Sequence, residues 1–178
     1  MLKGAVAKRY AQALFDVGIE RGLLDQFQQD LAVITQILVH PDVARALENP
    51  KVPFSAKREL IRRFLGDRNP YVLNFVDLLM SKNRTPVIER IRESYQELYN
   101  AEKGIAVAEV TTAVPLADEE MNRLIKKLSQ ITGKQVILEP RVNESILGGL
   151  VVRIGDRVID GSTITKLKAL RAELAGAV

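Results

Sequence analysis

A chain of 178 residues, 47% hydrophobic and 27% charged, is long enough to bury one ample core or two small ones and too apolar to be disordered. Its 26 basic and 22 acidic side chains leave a net charge of +4, interspersed along the chain, which permits an anionic partner without requiring one. The absence of cysteine excludes disulfides, thiolate metal sites and cysteine nucleophiles, and no apolar run approaches the ~20 residues of a membrane-spanning helix. Lys8 and Arg9 interrupt the first residues before a signal-peptide core can form, so the chain is expected in the cytoplasm.

Helical periodicity holds up to about Gly104. A first helix, roughly Lys3 to Arg21, stops at Gly22, and a second carries Leu24, Phe27, Leu31, Ile34, Ile37 and Leu38 on one stripe before His40-Pro41 breaks it. A short helix follows over Asp42 to Leu47. The turn-rich NPKVPF leads to Ser55, which is expected to cap a helix with Leu60, Ile61, Phe64 and Leu65 on its apolar positions, ending at Gly66. Asn69-Pro70 places proline in the first turn of a helix over Tyr71 to Lys82. After KNRTP a longer helix runs from about Val87 to Glu102 and completes a set of six.

At Gly104 the period changes from helical to alternating. IAVAEVTTAV is rich in β-branched residues and reads as a strand. Asp118, with Glu119 and Glu120 beside it as complements to the helix dipole, opens a helix with Met121, Leu124, Ile125, Leu128 and Ile131 on one stripe, closed by Gly133. Lys134 to Arg141 and Gly148 to Asp160 read as further strands, and Ser162 caps a last helix through Leu174. This gives two domains of an α+β protein, 1–104 and 105–178, with the boundary near residues 103 to 105.

Residues able to do chemistry are few. His40 is the only histidine, and beside Pro41 it reads as a capping or solvated residue. No phosphate-binding loop is present, and Gly148-Gly149 precedes a strand, the reverse of a dinucleotide-binding turn. VVRIGDRVIDGSTITKL, Val151 to Leu167, admits either a substrate-holding loop or a packing hairpin. Gly155-Asp156 suits a two-residue type II′ turn, which favours packing. Lys57, Arg58, Arg62 and Arg63 form a basic cluster without stacking aromatics around it, and this favours a solvated face while keeping a small RNA-binding regulator as the alternative.

Two helices carry more apolar surface than one core needs. At ~100° per residue, Val6, Ala7, Tyr10, Ala11, Ala13, Leu14, Phe15 and Val17 spread over about 200° of the first helix, and Tyr71 to Met80 repeat the pattern on the fifth. A surface helix typically needs a stripe of only ~100°. Either the fifth helix is the buried centre of the bundle, or the surplus edges form a groove for an amphipathic helix.

The segments AKRYAQALF at Ala7 to Phe15, NPKVPFSAKREL at Asn49 to Leu60 and ILGGLVVRIGDRVIDGS at Ile146 to Ser162 resemble the delta-subunit family of bacterial F-type ATP synthases, the counterpart of the mitochondrial oligomycin-sensitivity-conferring protein. Departures fall at Asn143-Glu144, where the family has Asp-Pro, and at Thr163-Ile164, where it has Val-Arg. The resemblance implies an N-terminal six-helix bundle and a small α+β domain with a β-hairpin and a C-terminal helix. It implies a non-catalytic stator part without cofactor or metal, linking the alpha/beta catalytic head to the b-subunit peripheral stalk so that proton-driven rotation is coupled to ATP synthesis. The implied partners are the F1 head, the N-terminal helix of an alpha subunit, bound between the first and fifth helices, and the b-subunit dimer. No nucleic acid and no direct membrane insertion are expected; the place is peripheral, on the cytoplasmic face of the bacterial cell membrane. Carried across, the groove residues are Tyr10, Ala13, Leu14, Phe75, Leu78 and Leu79, with Phe27 near the edge; Leu167, Leu170 and Leu174 are expected to meet the b subunits.

Overall fold

The computed structural model describes residues 2–168, and the chain divides into two compact units between Tyr99 and Asn100. The boundary expected near 103 to 105 follows the change of hydrophobic period, whereas the packing divides slightly earlier, before the last residues of the sixth helix.

The first unit consists of α1 (Leu2–Arg21), α2 (Leu24–Val39), α3 (Pro41–Glu48), α4 (Phe54–Leu65), α5 (Pro70–Ser81) and α6 (Ile88–Glu102), with a 3-10 turn at Thr85–Val87 before α6. Local chemistry explains several starts. The His40 imidazole accepts the Asp42 N–H at 3.4 Å at the head of α3, and the Asn69 carboxamide oxygen accepts the Tyr71 N–H at 3.0 Å with Pro70 as the first residue of α5. Ser55 lies inside α4 and does not cap it. Pro53 precedes the helix instead, and its carbonyl accepts the N–H groups of Ala56 and Lys57 at 3.1 and 3.2 Å.

The core of this unit collects one face of each long helix: Ala11, Leu14 and Phe15 from α1, Phe27, Leu31 and Ile34 from α2, Val76 and Leu79 from α5, Ile91 and Tyr95 from α6. Burying each large aliphatic or aromatic side chain stabilises by ~1.5–3 kcal/mol before the cost of ordering. Tyr95 satisfies its hydroxyl by donating to the Leu24 carbonyl at 3.1 Å, and burial pushes that hydroxyl above the ordinary phenol range. Phe64, expected on the apolar face of α4, is 57% exposed, and Phe54 is exposed as well. The face that α4 buries is set by Ile61 and Leu65, four residues apart; Phe64 falls outside that stripe, while Phe54 has its helical angle but stands at the first position of the helix, where it is exposed.

The second unit runs β1 (Ile105–Thr112), α7 (Asp118–Thr132), β2 (Gln135–Val142), a 3-10 turn at Glu144–Ile146, β3 (Leu150–Ile154) and β4 (Arg157–Asp160), followed by a helical run over 163–168. The sheet order is β2-β1-β3-β4, with β1 and β2 parallel across the α7 crossover and the other pairs antiparallel. Alternation along β1 buries Ala106, Ala108, Val110 and Thr112 on one face, and Leu124 and Leu128 of α7 pack in the same cluster. Glu120 accepts the Ala117 N–H at 3.1 Å, which with Asp118 and Glu119 in the first turn fixes the start of α7.

The glycine-rich stretch is a packing device. Ile154 pairs with Arg157, so Gly155-Asp156 is a two-residue loop, and the positive φ of 56° at Gly155 alone of the pair matches a type II′ turn. Gly149 lies against the segment that follows β4: a Cβ there would sit 2.3 Å from the Gly161 carbonyl oxygen, and its φ is 75°. Flanking it, Gly161 N–H donates to Leu150 O and Thr163 N–H to Gly148 O, both at 2.9 Å. Ser162 then accepts the Thr165 N–H at 3.3 Å and donates its own N–H to Asp160 at 2.9 Å, starting the helical run. That hydrogen bond from the Ser162 backbone, supported by the Ser162 and Thr165 hydroxyls, holds the Asp160 carboxyl below its ordinary pKa.

Candidate functional site

α1 and α5 are neighbours. The Tyr10 ring meets Phe75 edge-on with centroids 6.2 Å apart, an arrangement worth ~0.5–1.5 kcal/mol beyond its burial. The Arg21 guanidinium lies 5.6 Å from the centroid of Tyr71. Tyr10 precedes Arg21 while Phe75 follows Tyr71, so the two helices pass in opposite directions.

The sequence-predicted residues divide into two groups. Phe27 and Leu79 are fully buried and Leu14 and Phe75 nearly so, all within the core of the unit. Of the groove residues that the resemblance implies, these four side chains are therefore taken up by the core of the unit in this structure. Phe27 backs the edge from below, its ring 6.5 Å from that of Tyr71. Ala13 and Leu78 are exposed, Leu78 at 44%, and Tyr10 is half-buried. Val6 and Val17, also half-buried, continue the α1 margin at i, i+4, i+7 and i+11 through Tyr10 and Ala13. Exposed Tyr71 precedes Phe75 and Leu78 with the same spacing on α5. The result is two facing apolar edges at helical spacing. Tyr71 was missed as a site residue although it lay in the apolar arc; its position seven residues before Leu78 was the available signal.

Leu167 is exposed on the helical run over 163–168, while Leu170 and Leu174 lie outside the described residues. The basic cluster on α4 is engaged within the unit. Arg58 and Arg62 both bond Asp77 of α5, at 2.8 and 3.2 Å, Arg63 bonds Glu59 at 2.6 Å, and Lys57 donates to the Leu47 carbonyl. Among the described residues no group of His, Cys, Asp or Glu is arranged to hold a metal ion, and no helix is long and apolar enough to cross a membrane.

The model of the family described as "ATP synthase delta (OSCP) subunit" matches residues 6–174. The chain belongs to this family. It is a family of structural, stator-associated subunits of ATP synthase, and its members are not the catalytic ones. The chain is 38% identical over 176 residues to the ATP synthase subunit delta of Heliobacterium modesticaldum, covering 98% of this chain and 95% of that one. It is 36% identical to the corresponding subunit of Carboxydothermus hydrogenoformans, covering 97% and 98%. A chain in the cryo-EM structure of the Toxoplasma gondii mitochondrial ATP synthase hexamer has the same fold, with a TM-score of 0.72, 23% identity and 98% of each chain covered. For this delta-family chain the two-unit α+β architecture described above is therefore shared with a solved structure.

Proposed function

We propose that this delta-family chain is the clamp between the catalytic head and the peripheral stalk of an F-type ATP synthase. Its first unit receives the N-terminal helix of an alpha subunit along the α1–α5 edges, and its second unit, through a surface that includes Leu167, meets the end of the b-subunit dimer. The complex would hold it peripherally at the cytoplasmic face of the membrane. The mechanical need is simple: a shaft turning inside the head drags the head with it unless the head is tied to the stator. This part is passive, and what it supplies is attachment that does not slip while proton-driven rotation is coupled to ATP synthesis.

The observation that carries the reading is the pair of facing apolar edges, Val6, Tyr10, Ala13 and Val17 on α1 opposite exposed Tyr71 and Leu78 on α5, with buried Phe75 behind them. A partner helix laid between them gains ~25 cal/mol for each Å² of apolar surface removed from water, less the cost of association. Small Ala13 leaves room for a close approach. The engaged state of the α4 cations does not favour the RNA-binding alternative.

The test uses Ala13→Asp and Leu78→Asp in the full chain, with binding to the purified catalytic head measured in solution. Both positions are exposed, so folding should survive and head affinity should fall by about tenfold or more. Unchanged affinity in both variants would remove the α1–α5 edges from the interface. Leu79→Asp does not serve here, because an unpaired carboxylate at a fully buried position unfolds the unit it is meant to probe.

A further inference from the structure

Asp30 is out of place on α2. It is only 5% exposed, on the helix face that also buries Phe27, Leu31 and Ile34. Its Oδ1 accepts a hydrogen bond from Nη1 of Arg68 in the link between α4 and α5, while Asp30 Oδ2 and Arg68 Nε are buried with no hydrogen-bond partner among the described residues. Such a pair is a weak stabiliser: desolvating Asp30 and part of the Arg68 side chain offsets much of their attraction, and an apolar filling of equal volume is often as good or better. What an ion pair supplies and an apolar contact does not is direction.

The surroundings show what is being directed. One turn earlier on α2, Gln26 Oε1 accepts Asn69 Nδ2 at 3.4 Å, and Asn69 is the residue that caps α5. Between Gln26 and Asp30 on the same helix, Phe27 lies against the Tyr71 ring. Gln26, Phe27 and Asp30 on one stretch of α2 thus hold Asn69, Tyr71 and Arg68 at the entry to α5, and Tyr71 begins the exposed α5 edge. We infer that Asp30 and Arg68 are a positioning pair: they set the register of α5 along α2, hence the separation of its edge from that of α1, and through it the affinity for a docked helix. The last step rests on the groove reading above.

The experiment uses the full chain and the double variant Asp30→Leu/Arg68→Met, which replaces the pair with apolar side chains. Thermal unfolding, binding of a synthetic peptide of the alpha-subunit N-terminal helix, and amide hydrogen exchange over residues 71–76 are measured together. A positioning pair predicts an unfolding midpoint no lower than the wild type, peptide affinity weaker by about tenfold, and faster exchange at the start of α5. Wild-type affinity with unchanged exchange overturns the inference. If the unaltered chain does not bind the peptide, the groove reading fails on its own, and the exchange measurement alone decides whether the pair positions α5. Should the double variant not fold, Asp30→Asn, which keeps the shape and removes the charge, is judged by peptide affinity and exchange alone, because it leaves Arg68 without its ion partner and lowers the midpoint in either case.

Discussion

The helical unit fills its interior with large side chains, among them Phe27, Leu31, Ile34 and Tyr95, whereas among the described residues the buried cluster of the sheet unit is mostly small, Ala106, Ala108, Val110, Val136 and Val152 with Leu128. Small residues give little burial each, so the second unit depends more on close backbone approaches, such as Gly149 against Gly161, and on the hydrogen bonds around Asp160 and Ser162. The first unit draws enough from its core to leave an apolar margin on α1 and α5 uncovered. The contrast separates an exposed apolar edge beside a well-filled core, which the proposed function takes as a docking surface, from glycines that pack beside small side chains.

The largest effect that separates the units is expected from Phe27→Ala, which removes a fully buried ring and should cost ~3–5 kcal/mol, read by denaturant unfolding of the helical unit. If signals from the second unit weaken in parallel, the two units do not unfold separately and the contrast between their cores loses its meaning. Gly149→Ala forces a Cβ onto a carbonyl at a left-handed position and should cost roughly 1–3 kcal/mol, confined to the second unit. A loss below a few tenths would show that the glycine contact relaxes freely and that the small core suffices. Leu78→Asp should change stability by only about 0.5 kcal/mol, which marks it as surface in the isolated chain. A large loss there would place Leu78 in the core and erase the distinction between edge and interior.

The smallest effect concerns pH. Asp160 has a folded pKa below its ordinary value of 3.8, so its contribution is present in full above the unfolded pKa and is lost as pH falls through the folded one. Asp160→Asn should therefore lower the stability of the second unit at pH 7 and make progressively less difference below pH 4, checked by unfolding curves at both ends of that range. An equal difference at pH 7 and well below the ordinary carboxylate range would mean that the charge at Asp160 is not what its hydrogen bonds recognise.

Much of the fold was legible because helical period, Asn69-Pro70, the Gly155 turn and the shift to alternation at Gly104 are local signals. What the sequence left open was which part of an apolar arc its neighbours cover. Leu78 and Leu79 are adjacent and alike in the sequence, yet one is exposed and the other fully buried, because their sides of α5 meet different surroundings. Phe64 reads as core by type and loses that place to Ile61 and Leu65. Pairings between distant residues, such as Asp30 with Arg68, leave no spacing to read: an aspartate on an apolar stripe is unusual but names no partner. The order of strands, with β1 between β2 and β3, also comes from packing around α7 and not from any local pattern.

The central claim is that attachment to the head comes from burying the α1 and α5 edges and not from charge. Calorimetric titration of the full chain with a peptide of the alpha-subunit N-terminal helix, at low and at high salt, tests it most directly. Saturable binding whose affinity changes little between the two conditions is the predicted result. No binding by the folded chain, or binding that collapses as salt rises, would contradict it.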